Sequence, residues 1–351
     1  LRKVFACAWN PKPCFSLRKG RQTFNPGATM RGVYRRTTAL VAGALSLLST
    51  GCAAGFTPSQ PRPGALAGHV VVISIDGLRP DAIEVSGAHN LQRMMSEGAY
   101  SLQARTIMPS RTLPSHTSMI TGVTPAVHGI TWNDEQVGAL GRVRVSTMFD
   151  MADSAHLHTA AFFGKAKFRH LIHADAPDEV EAPRGTEVVL ASGITQEVTH
   201  YLRFRRPELL FIHLPDPDIA GHSAGWMSLP YRWAVRRADA AVEQIRRAAV
   251  HAYGGDVVII VTADHGGHGH DHGTDAETDV LIPWIVWGPG VETGRIAARI
   301  DTYDTAATAL WILGVPVPAR WEGRPVTTAF QPAAVAAAQS AAAHATEGTP
   351  P

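Results

Sequence analysis

The sequence predicts an α/β fold: a three-layer α/β/α sandwich with a central, mostly parallel sheet. Two observations predict it. The runs His69–Ile75 (HVVVISI), Glu208–Leu214 (ELLFIHL) and Val257–Thr262 (VVIIVT) are short, β-branched and nearly continuously apolar, as strands covered on both faces are. Helical periodicity fills the stretches between them, near 88–97, 114–121, 145–155, 188–203, 229–252 and 302–313. A fourth run, Ile282–Trp287, reads as a further strand.

The composition agrees. Of 351 residues, 45% are hydrophobic and 18% charged, a globular balance. The net charge of +2 gives no whole-chain field for nucleic acid, and no nucleic-acid-binding module is visible. The three cysteines, Cys7, Cys14 and Cys52, all precede the first strand. The domain therefore has neither an internal disulfide nor a thiolate metal site.

The chain before the first strand reads in three pieces. Residues 1–29 are expected to be an upstream extension. From Met30 to Cys52, a head of Arg31, Arg35 and Arg36 precedes the apolar run Thr37–Leu48 and Leu48-Ser49-Thr50-Gly51-Cys52. This resembles a bacterial export signal ending at a lipoprotein cleavage site, which would make Cys52 a lipid anchor; an ordinary signal peptide that happens to contain cysteine is the alternative. The expected location is periplasmic or at the cell surface. Residues 53–68, rich in Pro, Gly, Ala and Ser, read as a linker, 69–330 as one domain, and the Ala-rich 331–351 as a frayed tail.

In α/β sheets ligands gather beyond the carboxyl ends of the strands, so chemistry is sought directly after each run. Each of the three runs ends in carboxylates: Asp76, then Asp216 and Asp218, then Asp264. Bare carboxylates converging on one sheet edge repel one another unless cations lie between them. Histidines supply further ligands. Asp218 and His222, four apart, share a face of a helical turn. His265 adjoins Asp264, and His268, His270 and His272 follow in a Gly-rich stretch that could otherwise be a loop binding metal adventitiously. Oxygen and imidazole donors without thiolate suit zinc, with manganese the alternative.

A nucleophile is expected in Pro109–Gly122. Pro114 fits a first helical turn and Gly122 a helix end, so Thr112 stands at a helix N-terminus, where free N–H groups favour an anion. Thr112 or Ser110 could equally be a simple helix cap. Asp216 could orient a ligand or merely turn the chain. Lys165 and Lys167 could meet an anionic substrate group or be solvated surface lysines. Trp132 and Asn133 could line a pocket or pack.

The segments IDGLRPD (75–81), PSRTLPSHTSMITGVTPAVHGI (109–130), PDIAGH (217–222) and ADHGGHGHDHG (263–273) together resemble the alkaline phosphatase superfamily, and within it the nucleotide pyrophosphatase/phosphodiesterase branch. The similarity extends over about residues 69–330, including TYDTAATALWILGV (302–315) and WEGRP (321–325). It implies two metal ions, one held by Asp76, Thr112, Asp264 and His265, the other by Asp218, His222 and His272, with His268 as the reserve for His272. It implies that Thr112 becomes phosphorylated during hydrolysis of a small phosphoester. That branch carries Asn three residues after the nucleophile to contact a phosphoryl oxygen; here the position is Ser115, which leaves a phosphomonoesterase open. Lys165 and Lys167 resemble a segment that serves the substrate carboxylate in phosphonoacetate hydrolases, so cleavage of a C–P bond is a further alternative. A sulfatase would need Cys or Ser in place of Thr112. The alternative outside enzymes is a metal-binding surface lipoprotein.

Overall fold

The computed structural model describes residues 62–173 and 176–347. The export segment, Cys52 and most of the linker lie outside them. Eight strands form one sheet: β1 (His69–Ile75), β2 (Ala99–Arg105), β3 (Thr159–Phe162), β4 (Glu179–Glu181), β5 (Leu209–Leu214), β6 (Val257–Thr262), β7 (Leu281–Trp287) and β8 (Gly294–Arg295). Their order is β4-β3-β5-β1-β6-β7-β2-β8. The runs read from sequence as doubly covered strands occupy the centre. β1, β5 and β6 are buried at every residue, and β1 pairs in parallel with both neighbours. β7 runs antiparallel to β6 and to β2. Its carboxyl end therefore lies at the opposite edge of the sheet from those of β1, β5 and β6.

Helices cover both faces. Leu229–Ala252 packs with His89–Glu97, Ala191–Tyr201 and Asp216–Ala224 on one side, and Asp304–Ile312 with Thr112–Thr121 and Met148–Ser154 on the other. Both long helices also touch β1. Ser228 caps the first of these helices by accepting from the Tyr231 N–H. The three-layer α/β/α sandwich read from the sequence is thus observed.

The structure differs from the sequence reading at both margins of the domain. The end of the presumed linker is docked: Leu66 N–H donates to Ile312 O, Gly68 N–H donates to Asp256, and Ala67 is buried. The presumed frayed tail is helical over Pro332–Glu347, since an Ala-rich run has high helix propensity. No helix among the described residues is long and apolar enough to cross a membrane.

Candidate active site

Three adjacent strand ends deliver the acids. Asp76 follows β1, Asp264 follows β6 after Ala263, and Asp218 lies in the first turn of the helix Asp216–Ala224 that follows β5. Asp76 and Asp264 are fully buried and Asp218 nearly so. Gly77 fastens two of these turns together: its N–H donates to Asp264 Oδ1, and a φ of 71° with Asp218 Cα close by leaves no room for a side chain.

One oxygen of each acid is buried without a hydrogen-bond donor: Asp76 Oδ1, Asp264 Oδ2 and Asp218 Oδ1. Those oxygens are the ones that face imidazole nitrogens. His265 Nε2 lies 3.3 Å from Asp76 Oδ1 and 3.2 Å from Asp264 Oδ2. His222 Nε2 lies 3.3 Å and His272 Nε2 3.6 Å from Asp218 Oδ1. The Thr112 hydroxyl stands 3.3 Å from His265 Nε2. Asp76, Asp264 and His265 form one group of donor atoms able to surround an ion, and Asp218, His265 and His272 a second.

The tautomers are fixed from behind. Each imidazole has Nδ1 against a backbone carbonyl: His265 on Gly266 O at 2.7 Å, His272 on Ser110 O at 2.9 Å and His222 on His270 O at 2.9 Å. A carbonyl only accepts, so Nδ1 carries a proton and all three Nε2 atoms face the carboxylates. This is how imidazoles are prepared for a cation. Orphaned buried carboxylate oxygens faced by imidazole nitrogens fit divalent ions, one among Asp76, Asp264 and His265 and one among Asp218, His265 and His272.

The electrostatics say the same. Burial, and then the charge of Asp76, push the Asp264 carboxyl well above its ordinary value. Burial would lower His265, but Asp264 and Asp76 outweigh it and raise the imidazole to about 9. The cluster holds more negative charge than its side chains neutralise.

Thr112 opens the helix Thr112–Thr121, two residues before the start that Pro114 suggests, and Gly122 ends that helix in the left-handed conformation. The adjacent N–H, that of Leu113, donates to Asn133 Oδ1 at 2.9 Å, which brings Asn133 beside the Thr112 hydroxyl. Ser115, one turn along the same helix, is fully buried and its hydroxyl is paired with Thr106 Oγ1. The Ser110 hydroxyl donates to Thr274 O. His268 is engaged with Asp279 at 2.7 Å and half exposed, which leaves His272 in the cluster. Asp216 accepts from the Ala191 N–H and lies beside Arg237, so it anchors the start of a neighbouring helix and neither orients a ligand nor simply turns the chain. Trp132 packs against His170.

The lysines are not solvated. Lys165 Nζ lies 2.6 Å from Asp76 Oδ2 and also reaches Asp218 Oδ2; burial would lower its pKa, but Asp218 and Asp76 raise it. Lys167 is partly buried, and burial followed by the charge of Lys165 lowers its pKa.

Two histidines escaped the sequence reading. His213, inside β5, lies 2.9 Å from Asp76 Oδ2 through Nε2, while its Nδ1 accepts from the Gly164 N–H. His116 lies 2.8 Å from Thr112 O through Nδ1 and 2.8 Å from Ser74 Oγ through Nε2. His213 stands where β-strand alternation offers no ligand signal, and His116 is one of several polar residues on a buried helix. Only their i, i+4 or strand-end relation to Thr112 and Asp76 could have raised them.

Trp226 wedges the site. Its indole N–H donates to Gly77 O at 3.0 Å, and the ring lies against Gly221 on one helix and Gly267 in the histidine loop. A Cβ at Gly267 would stand 2.2 Å from the ring, and one at Gly221 2.6 Å.

Comparison with known proteins places this geometry. Residues 70–283 match the family model of type I phosphodiesterase/nucleotide pyrophosphatase. Ectonucleotide pyrophosphatase/phosphodiesterase family member 3 of Mus musculus is 26% identical over 240 residues, covering 61% of this chain and 26% of that protein. GPI ethanolamine phosphate transferase 1 of Emericella nidulans is 24% identical over 270 residues, covering 66% and 28%. The matched part is thus about a quarter of the length of these curated relatives. Among solved structures, murine ectonucleotide pyrophosphatase/phosphodiesterase 5, as an inactive variant in complex with AMP, superimposes with a TM-score of 0.63 at 15% identity, covering 75% of this chain and all of that one. A 2-O GAG sulfatase superimposes with 0.60 at 16% identity, covering 75% and 74%, and shares the fold. With its family model matched over more than half its length, the chain belongs to the type I phosphodiesterase/nucleotide pyrophosphatase family.

Proposed function

We propose that this protein is a metal-dependent hydrolase of phosphodiesters or nucleotide pyrophosphates that works through a phosphothreonine at Thr112. The observation that carries the reading is the convergence of three donor-free carboxylate oxygens, three imidazole Nε2 atoms and the Thr112 hydroxyl at one sheet edge. Two divalent cations, zinc or manganese, would supply Lewis acidity to the attacking and leaving oxygens. Asp76, Asp264, His265 and Thr112 would hold one, and Asp218, His222 and His272 the other.

The residues do the rest. Thr112 Oγ1 attacks phosphorus, forming the Oγ–P bond as the bond to the leaving oxygen breaks; the hydroxyl proton passes to solvent, and the departing alkoxide or phosphate takes up a proton from it. Water then cleaves the phosphothreonine and restores the hydroxyl. Thr112 is buried, so the fixed dipoles around it act at low dielectric. Asn133, held by its Oδ1 on the Leu113 N–H, leaves its amide nitrogen for a phosphoryl oxygen. Ser115 takes no part in this scheme.

A second reading rests on Lys167, whose partly buried ammonium feels the charges of Asp76, Asp218 and Asp264 without bonding to them. A substrate carboxylate would satisfy it, which favours a phosphonoacetate-type substrate and C–P cleavage on the same site. We further propose export and lipid anchoring at Cys52, supported by the run Thr37–Leu48 and the small residues before the cysteine.

The test is hydrolysis of a nitrophenyl diester, the matching monoester and phosphonoacetate with added zinc. Diester cleavage abolished by chelation supports the proposal. Thr112→Ala is expected to lower kcat by at least about 1000-fold while zinc stays bound. Near-parental activity in that variant moves the nucleophile away from Thr112. Preference for phosphonoacetate selects the second reading.

A further inference from the structure

Lys165 is joined to the two carboxylates that belong to different ligand groups, but through their rear oxygens. Asp76 and Asp218 turn Oδ1 toward the imidazoles and Oδ2 toward the lysine ammonium. One cation thereby fills the side of each acid that faces away from its ligand group. Its side chain is 11% exposed.

The lysine is itself held. The preceding residue, Gly164, donates its N–H to His213 Nδ1 at 3.2 Å, and His213 Nε2 reaches the same Asp76 Oδ2 that Lys165 contacts. A Cβ at Gly164 would lie 2.6 Å from Pro215, the residue just before the helix that carries Asp218 and His222. The segment is therefore pressed between His213 and Pro215, with little freedom to swing.

We infer that Lys165 is a positioning residue that ties the two ligand groups together, and that it is not a substrate contact. The inference rests on the two-ion reading above. A carboxylate whose rear oxygen is taken by an ammonium can offer its ion only the front one. Lys165 does this for one acid of each group, so it sets the orientation of both and hence the spacing of the two ions.

The experiment compares the parent chain with K165M and K165R. Zinc affinity is measured by competition with a chromophoric chelator, cobalt(II) replaces zinc for visible and EPR spectra, and kcat and KM are taken on the nitrophenyl diester. K165M is expected to bind zinc about 10- to 100-fold more weakly, as when partners behind metal ligands are lost. Its cobalt bands and spin coupling change, and kcat falls with KM nearly unchanged. K165R, which keeps the charge and can bridge two carboxylates, recovers part of the affinity. Parental zinc affinity and cobalt spectra in K165M overturn the inference, as does a rise in KM alone, which makes Lys165 a substrate contact. If methionine at 165 blocks folding, K165Q, which keeps a donor, reads the same quantities. A parent that binds no zinc sinks the two-ion reading itself; a parent that binds two ions, matched by K165M, sinks only this one.

Discussion

Gly267→Ala tests whether Trp226 is the wedge that the packing implies. Gly267 has no left-handed φ, so alanine is tolerated by the backbone and only the new methyl matters. That methyl would sit 2.2 Å from the Trp226 ring, far inside contact distance. The ring cannot retreat, because Gly221 lies so close that a Cβ there would be 2.6 Å from it. Overpacking of this kind costs about 1–3 kcal/mol. Displacing the indole also breaks its bond to Gly77 O, worth about 1 kcal/mol. A total of about 2–4 kcal/mol corresponds to a Tm lower by roughly 4–8 °C in a domain of this size. Because Trp226 touches both His222 and His272, zinc affinity should fall as well. Calorimetry of the zinc-loaded protein and a zinc titration read the two effects. Gly138→Ala is the control: nothing lies within 4 Å of a Cβ there, and its Tm should hardly move. A Gly267→Ala protein that melts with the parent would show that Trp226 has room to move.

Two further outcomes follow from the same structure. Burial holds His128 down at about 4, with Nδ1 accepting from the Ile130 N–H. The native state thus favours the neutral ring, and stability is whole above the unfolded pKa of 6.5, declining as pH falls toward 4. The loss amounts to roughly 3 kcal/mol, so urea titrations at pH 7 and 4.5 should differ by less in His128→Gln than in the parent; equal differences refute it. Stripping the ions with a chelator should lower Tm by on the order of 10 °C, since a ligand at 100 times its Kd contributes about 2.7 kcal/mol per site. An unchanged Tm would mean that the orphaned carboxylate oxygens are satisfied in some other way.

The central fold was legible because its strands are extreme. β1, β5 and β6 are buried on both faces and cannot carry polar residues without cost, so they stand out as apolar runs. The edges were not. β4 is the polar tripeptide Glu179–Glu181, half in solvent, and β3 has only four residues, Thr159–Phe162. The helix Asp216–Ala224 opens with Asp-Pro-Asp, which reads as a turn until the helix is seen to use that proline in its first turn. At the site, Asp76, Asp218, Asp264 and the histidines announced themselves by following strands. What sequence could not give was direction. Ser115 drew notice as the third residue after Thr112 and Asn133 only as a pocket or packing residue, yet the hydroxyl of one is paired with Thr106 and the loop brings the other to the Leu113 N–H. Lys165 and Lys167 share a motif and part company in three dimensions for the same reason: one bonds to both acids, and the other only feels their charge.

β1 lies between β5 and β6 with Ile75 opposite Leu214 and Ser74 opposite Thr262. The acids that follow these strands inherit a separation set by backbone hydrogen bonds, about 4.8 Å per strand. The sheet is therefore a ruler for the backbones that carry the acids, and Lys165 only turns their oxygens upon it. The exposed stretches around 134–142 and 184–188 belong to no central strand. Insertions there can reshape the rim and the choice of substrate while the ruler keeps its marks. No single substitution in a loop can widen it, because the distance between neighbouring strands belongs to their peptide groups.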